Sequence, residues 1–383
     1  MNNQPTKRII TRYYNGRILR EHVLRQEDLW VVNGEVISPQ QEADENIDVD
    51  GKIIAPGFID LQLNGAFGID LSTEPEKVMD VAKQLPKYGV TAFLPTVISS
   101  KKEVYQKILP HLQPKKLQKH AEILGIHLEG PFLNPNKSRA HDRTLMQSFE
   151  KHPSPLEFYG SLDGVKLVTL APELEGALEA IHALKKRKVM VAAGHTEASY
   201  QDMQLAFDSG LTIVTHLFNA MSQMHHRSPG VIGSTLTNPK IFYSIIADGH
   251  HVHPSVLNLA WKSNPEGFFL VTDAISALGL SDGNYRLGEQ KVVVNDGAAF
   301  IPETETLAGS VLSMDAAVRM FHASAGCAIG RALEAASWKP AKALGIENKK
   351  GHLNPGADAD FVILNDALDV LSCYIAGEQA FPN

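Results

Sequence analysis

Histidine is the residue type to follow in this chain: it occurs 16 times against two cysteines, Cys327 and Cys373, and imidazole is a common metal ligand. Eight short apolar runs punctuate the sequence, and just past nearly every one stands a polar or metal-capable residue. These residues are Asn64, Thr96, Glu129, Glu173, His195, His216, Asp248 with His250 and His251, and Asp273. One carboxylate and two imidazoles make a catalytic metal set that leaves a position open for water. A single histidine at such a place is more often a hydrogen-bonded structural residue than a ligand. Two histidines and two carboxylates converging on one mouth reverse that expectation. His127, two residues before Glu129, shares its strand face and reads as a packing residue pointing into the interior.

Convergence needs a scaffold that brings many strand ends together. The apolar runs are Phe58–Leu63, Thr91–Leu94, Ile123–Leu128, Val165–Leu170, Val189–Ala192, Thr212–Thr215, Phe242–Ala247 and Phe268–Val271. Amphipathic stretches such as Glu76–Tyr88, Leu174–Lys188, Tyr200–Ser209 and Ser255–Asn264 separate most of them. Continuous apolar strands imply burial on both faces, and eight such units predict a (β/α)8 TIM-like barrel with its chemistry at the C-terminal ends of the strands. A doubly wound open sheet is the structural alternative. Its nucleotide-binding version is disfavoured because no glycine-rich phosphate loop follows the first strand. The Gly-rich segment Leu278–Leu307 reads as an extra hairpin before the last helix.

The two ends of the chain look different. Asn15-Gly16 and Asn33-Gly34 each sit between strand-forming residues, a strong hairpin signal. Asp360–Leu364 and Ser372–Ala376 read as strands, with a turn at Gly377-Glu378. We expect both termini to meet in one small β-sandwich domain, residues 1–54 with 352–383, leaving 55–351 for the barrel. A net charge of −7 offers no basic field for a nucleic-acid backbone. No apolar run is long enough to span a membrane and the polar start MNNQPTKR lacks a signal core, so a soluble, cytoplasmic protein is expected.

Several motifs resemble the amidohydrolase superfamily: Ala55-Pro56-Gly57-Phe58-Ile59-Asp60, His127-Leu128-Glu129-Gly130-Pro131-Phe132 and Ala193-Gly194-His195-Thr196. Within it, further stretches are similar to the deacetylases that act on N-acetylglucosamine 6-phosphate. They are Thr215-His216-Leu217-Phe218-Asn219-Ala220-Met221, Asp248-Gly249-His250-His251-Val252, Val271-Thr272-Asp273-Ala274 and Leu307-Ala308-Gly309-Ser310. Gly351 to Asp360 resembles the stretch that returns such chains to their β domain. The likeness runs in order over nearly the whole chain.

The resemblance implies one divalent metal per subunit, usually zinc with Fe2+ or another divalent ion as alternatives, held by Glu129, His195 and His216. It implies that Asp273 takes a proton from the attacking water and returns it to the departing amine, and that His141 helps polarise the carbonyl. It implies a phosphorylated amino-sugar substrate, contacted by Ala140, Asn219, Ala220, His251 and Leu307. Arg227 would reach the phosphate from the neighbouring subunit, which implies a homodimer.

One departure is plain. Many amidohydrolases carry His-x-His after the first strand, binding a second metal, whereas Gln62 and Asn64 stand there in this chain. Neutral amides compete poorly for zinc, so a single-metal site is expected. The rival readings are another amidohydrolase on the same barrel, such as a deaminase or cyclic amidase, and a non-catalytic scaffold that has lost its metal.

Overall fold

The computed structural model describes residues 9–152 and 154–382; the polar start Met1–Arg8 lies outside them. Eight strands pair in parallel, in chain order. They are Phe58–Leu63, Val90–Ile98, Ile126–Glu129, Val165–Leu170, Met190–Ala193, Ile213–Val214, Phe242–Ile246 and Phe268–Val271. The run Ile123–Leu128 is broken at Gly125, where φ is 155° and an added Cβ would lie 2.2 Å from Lys166 and 2.7 Å from Gly164; this glycine separates a short piece, Glu122–Ile123, from the third barrel strand. The eighth and first strands close on each other at the site end, through a bridge between Leu63 and Ala274 and through the Asp273 N–H donating to the Gln62 carbonyl at 2.9 Å. Asp60 supports that seam from below: its carboxylate accepts Thr272 Oγ1 at 2.5 Å and the Thr272 N–H at 3.3 Å.

Below the layer of His127, Thr169 and Thr215 the barrel interior is apolar. Ile59, Leu61, Ala92, Leu94, Leu167, Ala192, Ile213, Ile246, Phe269 and Val271 form one buried cluster drawn from seven of the strands. Ala341 and Ala343 of helix Trp338–Leu344 join it and plug the end remote from the strand C-termini. Outer helices seat as their patterns require; Tyr200–Ser209, for example, opens with a capping box in which Ser199 accepts the Asp202 N–H.

Both termini meet in one hydrogen-bonded sheet, curled so that Tyr13, Leu29, Val31, Ile54, Phe361 and Tyr374 share a core. One expected turn is absent. Ile10–Arg20 runs unbroken through Asn15-Gly16, and the chain reverses at Glu21-His22 instead, both at positive φ. A type I′ turn needs positive φ at two successive residues, and of the earlier pair only Asn15 has it. The result is a bulge, where the strand exchanges one parallel partner, Glu45–Asp48, for the next, Ile53–Pro56. Asn33-Gly34 does form its hairpin, with φ of 50° and 80°. The last turn falls one residue early, at Ala376-Gly377. The segment Leu278–Leu307 holds more than a hairpin. It belongs to a four-stranded antiparallel meander ending at Ser310, and three helices follow it. The apolar face of the meander (Leu287, Val292, Val294, Ala299 and Ala308) packs on Ile98, Ala140 and Ile275 beside the barrel mouth. No helix among the described residues is long and apolar enough to cross a membrane.

A buried ion network ties the terminal sheet to the barrel. Lys350 Nζ lies 2.7 Å from Asp360, 2.8 Å from Asp358 and 2.8 Å from Glu122 of the barrel, with its side chain only 7% exposed. Burial opposes its charge, but the carboxylates around it hold its pKa above the usual lysine value. Lys350→Ala leaves those carboxylates uncompensated and should cost about 3–5 kcal/mol in urea unfolding at pH 7. A loss below about 1 kcal/mol would show that the network is solvated and does not join the two parts.

Candidate active site

Three groups from the ends of the third, fifth and sixth strands meet at the barrel mouth. Glu129 Oε1 lies 2.9 Å from His216 Nε2 and 3.4 Å from His195 Nε2, and the two ring nitrogens are 3.2 Å apart. All three side chains are nearly fully buried. The His195 Nδ1–H donates to the Lys137 carbonyl at 2.8 Å, which fixes the tautomer and leaves Nε2 as a bare lone pair aimed at Glu129 and His216. Burial raises the cost of charge on Glu129, yet the imidazoles around it, His216 foremost by distance, hold its carboxyl well below the usual range. Burial and repulsion from His141 push the His195 pKa down to about 4, so this imidazole is neutral. Two nitrogens and a carboxylate oxygen facing one another repel unless a proton or a cation sits among them. This donor set fits a divalent metal ion.

His141 is also close, its Nε2 at 3.7 Å from Glu129 Oε2, and by distance alone it would join Glu129 and His195 in a metal-binding group. Its hydrogen bonds indicate otherwise. The Ser99 N–H donates to His141 Nδ1 at 3.3 Å and Ser99 Oγ lies 2.9 Å from the same atom. An accepting Nδ1 places the proton on Nε2, so His141 presents a donor, not a lone pair, to the site.

Asp273 lines the same cavity, nearly buried and at φ 50°. Burial and the nearby Glu129 raise its pKa to about 6, within reach of neutral operation as base and then acid. The first-strand amides serve the two carboxylates: Gln62 Nε2 donates to Glu129 Oε1 at 3.0 Å and Asn64 Nδ2 donates to Asp273 Oδ1 at 2.7 Å. His127 lies deeper. Its Nδ1–H donates to the Leu61 carbonyl at 3.1 Å, Nε2 accepts from Thr169 Oγ1 at 2.8 Å, and burial lowers its pKa to about 4. Glu173 belongs to the loops rather than the site, accepting hydrogen bonds from Asn134, Thr196 and Glu197.

These residues line a cavity of about 410 Å³ that also takes in Ala140, Asn219, Ala220, His251 and Leu307. His251 Nδ1 is held 2.6 Å from Asp248 Oδ2. Gln62 supports the site from beneath and Arg227 stands outside the cavity lining, exposed, with Nη1 2.9 Å from His226 Nε2. The cavity also draws on residues given no role in the sequence reading. Ile98 and Leu287 make an apolar wall, and Arg139 and Glu305 are charged groups at the rim. The signal for Leu287 was hidden in a distant insertion. Arg139 stood in plain view two residues before His141, but surface-loop arginines are too common to single out.

The model of the amidohydrolase family matches residues 53–380 of the chain. N-acetylglucosamine-6-phosphate deacetylases from Mus musculus and Homo sapiens are each 46% identical to it over 389 residues, 96% of this chain and 95% of theirs. Among solved structures, an aspartate-to-alanine mutant of N-acetyl-D-glucosamine-6-phosphate deacetylase from Mycobacterium smegmatis, in complex with N-acetyl-D-glucosamine-6-phosphate, superposes with a TM-score of 0.87. It is 31% identical, covering 98% of this chain and 100% of that one.

The hydrogen bonds of His127 make a direct prediction. Between its ordinary value of 6.5 and about 4, the unfolded chain binds the extra proton, so this residue's contribution to stability falls as pH drops through that window. Nitrogen NMR of the folded protein should show a neutral Nδ1–H tautomer from pH 8 down to pH about 5.5. A titration midpoint near the ordinary value would mean that the interior is open to water.

Proposed function

The chain belongs to the amidohydrolase family, among the N-acetylglucosamine-6-phosphate deacetylases, and from that premise we propose that it hydrolyses N-acetylglucosamine 6-phosphate to glucosamine 6-phosphate and acetate in amino-sugar breakdown or recycling. The observation that carries the reading is the facing pair His195 Nε2 and His216 Nε2 beside Glu129, with Asp273 lining the same cavity. Glu129, His195 and His216 are the residues that would hold one divalent metal, zinc by our reading. When bound, such an ion polarises an amide carbonyl and lowers the pKa of water.

The chain's own groups then have distinct tasks. Asp273 takes a proton from the attacking water at Oδ, and Asn64 keeps that carboxylate aimed. His141, with its proton on Nε2, donates to the carbonyl oxygen as negative charge develops there. Asp273 returns the proton to the sugar nitrogen, without which the tetrahedral intermediate would expel water and revert. Asn219, the backbone at Ala220 and His251 contact the sugar phosphate, while Ala140 and Leu307 bound the sugar. Arg227 lies outside its own cavity, which supports a homodimer in which it serves the neighbouring one. Two unpaired cysteines, Cys327 and Cys373, support a cytoplasmic setting.

Acetate release from N-acetylglucosamine 6-phosphate, measured with and without chelator, tests the reading; no release by metal-loaded protein would sink it. Asp273→Asn should keep its metal and lose at least ~10²–10⁴-fold in kcat. Near-normal kcat with metal bound would remove Asp273 from the mechanism. Elemental analysis of protein purified without added metal should give about one equivalent per chain. That equivalent should vanish in Glu129→Ala, His195→Ala or His216→Ala and persist in His141→Ala. Two tightly held equivalents, both needed for turnover, would overturn the single-metal reading.

A further inference from the structure

Among the described residues lining the catalytic cavity, Arg139 is the only lysine or arginine. Three carboxylates, Glu129, Asp273 and Glu305, line the same space, and the protein as a whole carries a net charge of −7. A phosphorylated substrate entering this cavity therefore meets one permanent positive charge supplied by the chain itself. The other cations of the same loop are engaged: Lys137 pairs with Glu197 at 3.5 Å and Arg143 donates to Asn136 Oδ1 at 3.4 Å. The Arg139 guanidinium has no hydrogen bond or ion pair among the described residues. Glu305, across the rim, is not within pairing distance.

The backbone gives an independent observation. Arg139 adopts φ 53°, the left-handed region that favours glycine, although its side chain makes no local hydrogen bond that would compensate. A glycine there would relieve the backbone and lose only the side chain. Such strain beside a site points to a role for the group it displays. Directly after it come Ala140 and His141, both of the cavity wall, so the same turn sets all three.

We infer that Arg139 is a substrate-binding residue that grips the anionic phosphate from within the same chain, in addition to any arginine contributed across a dimer. A guanidinium offers paired N–H donors to phosphate oxygens and keeps its charge at every working pH. This inference rests on the phosphosugar reading above.

The test compares kcat/KM for N-acetylglucosamine 6-phosphate with that for unphosphorylated N-acetylglucosamine, in the wild type, Arg139→Gly and Arg139→Lys. Because glycine suits the backbone at this position, Arg139→Gly should fold with an undiminished Tm. Its phosphorylated-to-unphosphorylated ratio should fall about 10–100-fold, the range for losing a hydrogen bond to a charged group. Arg139→Lys should recover part of that ratio, since it restores charge without the paired donors. An unchanged ratio in Arg139→Gly would overturn the inference. So would equal losses on both sugars, the signature of a residue that shapes the rim without gripping the phosphate. A wild-type protein that releases no acetate from the phosphosugar would instead bring down the functional reading, and this inference with it.

Discussion

The structure turns on one electrostatic constraint: four ionisable side chains, Glu129, His195, His216 and Asp273, are buried around a single cavity. Burial alone would neutralise the carboxylates and strip protons from the imidazoles. Within that limit the fold decides where each remaining proton sits, by fixing hydrogen-bond partners from the backbone. The Lys137 carbonyl decides which nitrogen of His195 is bare, and the Ser99 N–H decides which nitrogen of His141 keeps its proton. Two histidines with similar surroundings are thereby given opposite characters, one an electron-pair donor and the other a proton donor. Neither partner is a conspicuous functional residue, and both lie on the loops after their strands.

The same constraint explains the amides on the first strand. With Gln62 and Asn64 each donating an N–H to a carboxylate, Glu129 and Asp273 are kept ionised and pointed without adding charge to an already crowded mouth. Turning either amide over would set its oxygen against a carboxylate oxygen, so the network itself selects the orientation. Where a second metal would need lone pairs, this chain presents hydrogens. The first strand is in turn held against the eighth by Asp60 and Thr272, so the amides inherit their positions from the barrel seam.

Much of this was legible in the sequence because apolar runs mark buried parallel strands and the residues after them fall at one rim. Tyr200–Ser209 and Phe58–Leu63 were read with the bounds they have in the structure. Asn15-Gly16 misled because its composition fits a turn while its tertiary setting, a strand switching parallel partners, uses the same positive φ for a bulge. The meander was underestimated because Gly and polar residues interrupt its alternation, so only contact with Ile98 and Ala140 reveals its buried face. Tautomers were out of reach altogether, being set by carbonyls and N–H groups that no side-chain pattern encodes.

Strand parity shows how little of the site follows from strand position alone. Ala192 and Ile213 point into the barrel, and Ala193 and Val214 pack outward against the helices. Continued alternation would turn Gly194 and Thr215 inward and send His195 and His216 outward, away from Glu129. Both histidines instead leave their strands at positive φ, 48° and 34°, and this turn directs the rings back across the mouth. Gly194 makes the manoeuvre possible: a Cβ there would lie 2.6 Å from Thr169 and 3.1 Å from Thr215, inside a hydrogen-bonded pair. An L-residue in the left-handed region costs roughly 1–2 kcal/mol, and a single-domain protein has only about 5–15 kcal/mol of net stability to draw on. The barrel can bear two such residues because its ladder runs right up to them, with the Gly194 N–H bonded to the Leu170 carbonyl and the Thr215 N–H to the Ala193 carbonyl. The strain is therefore confined to the residues that carry the rings, and the closed barrel beneath keeps them from relaxing outward.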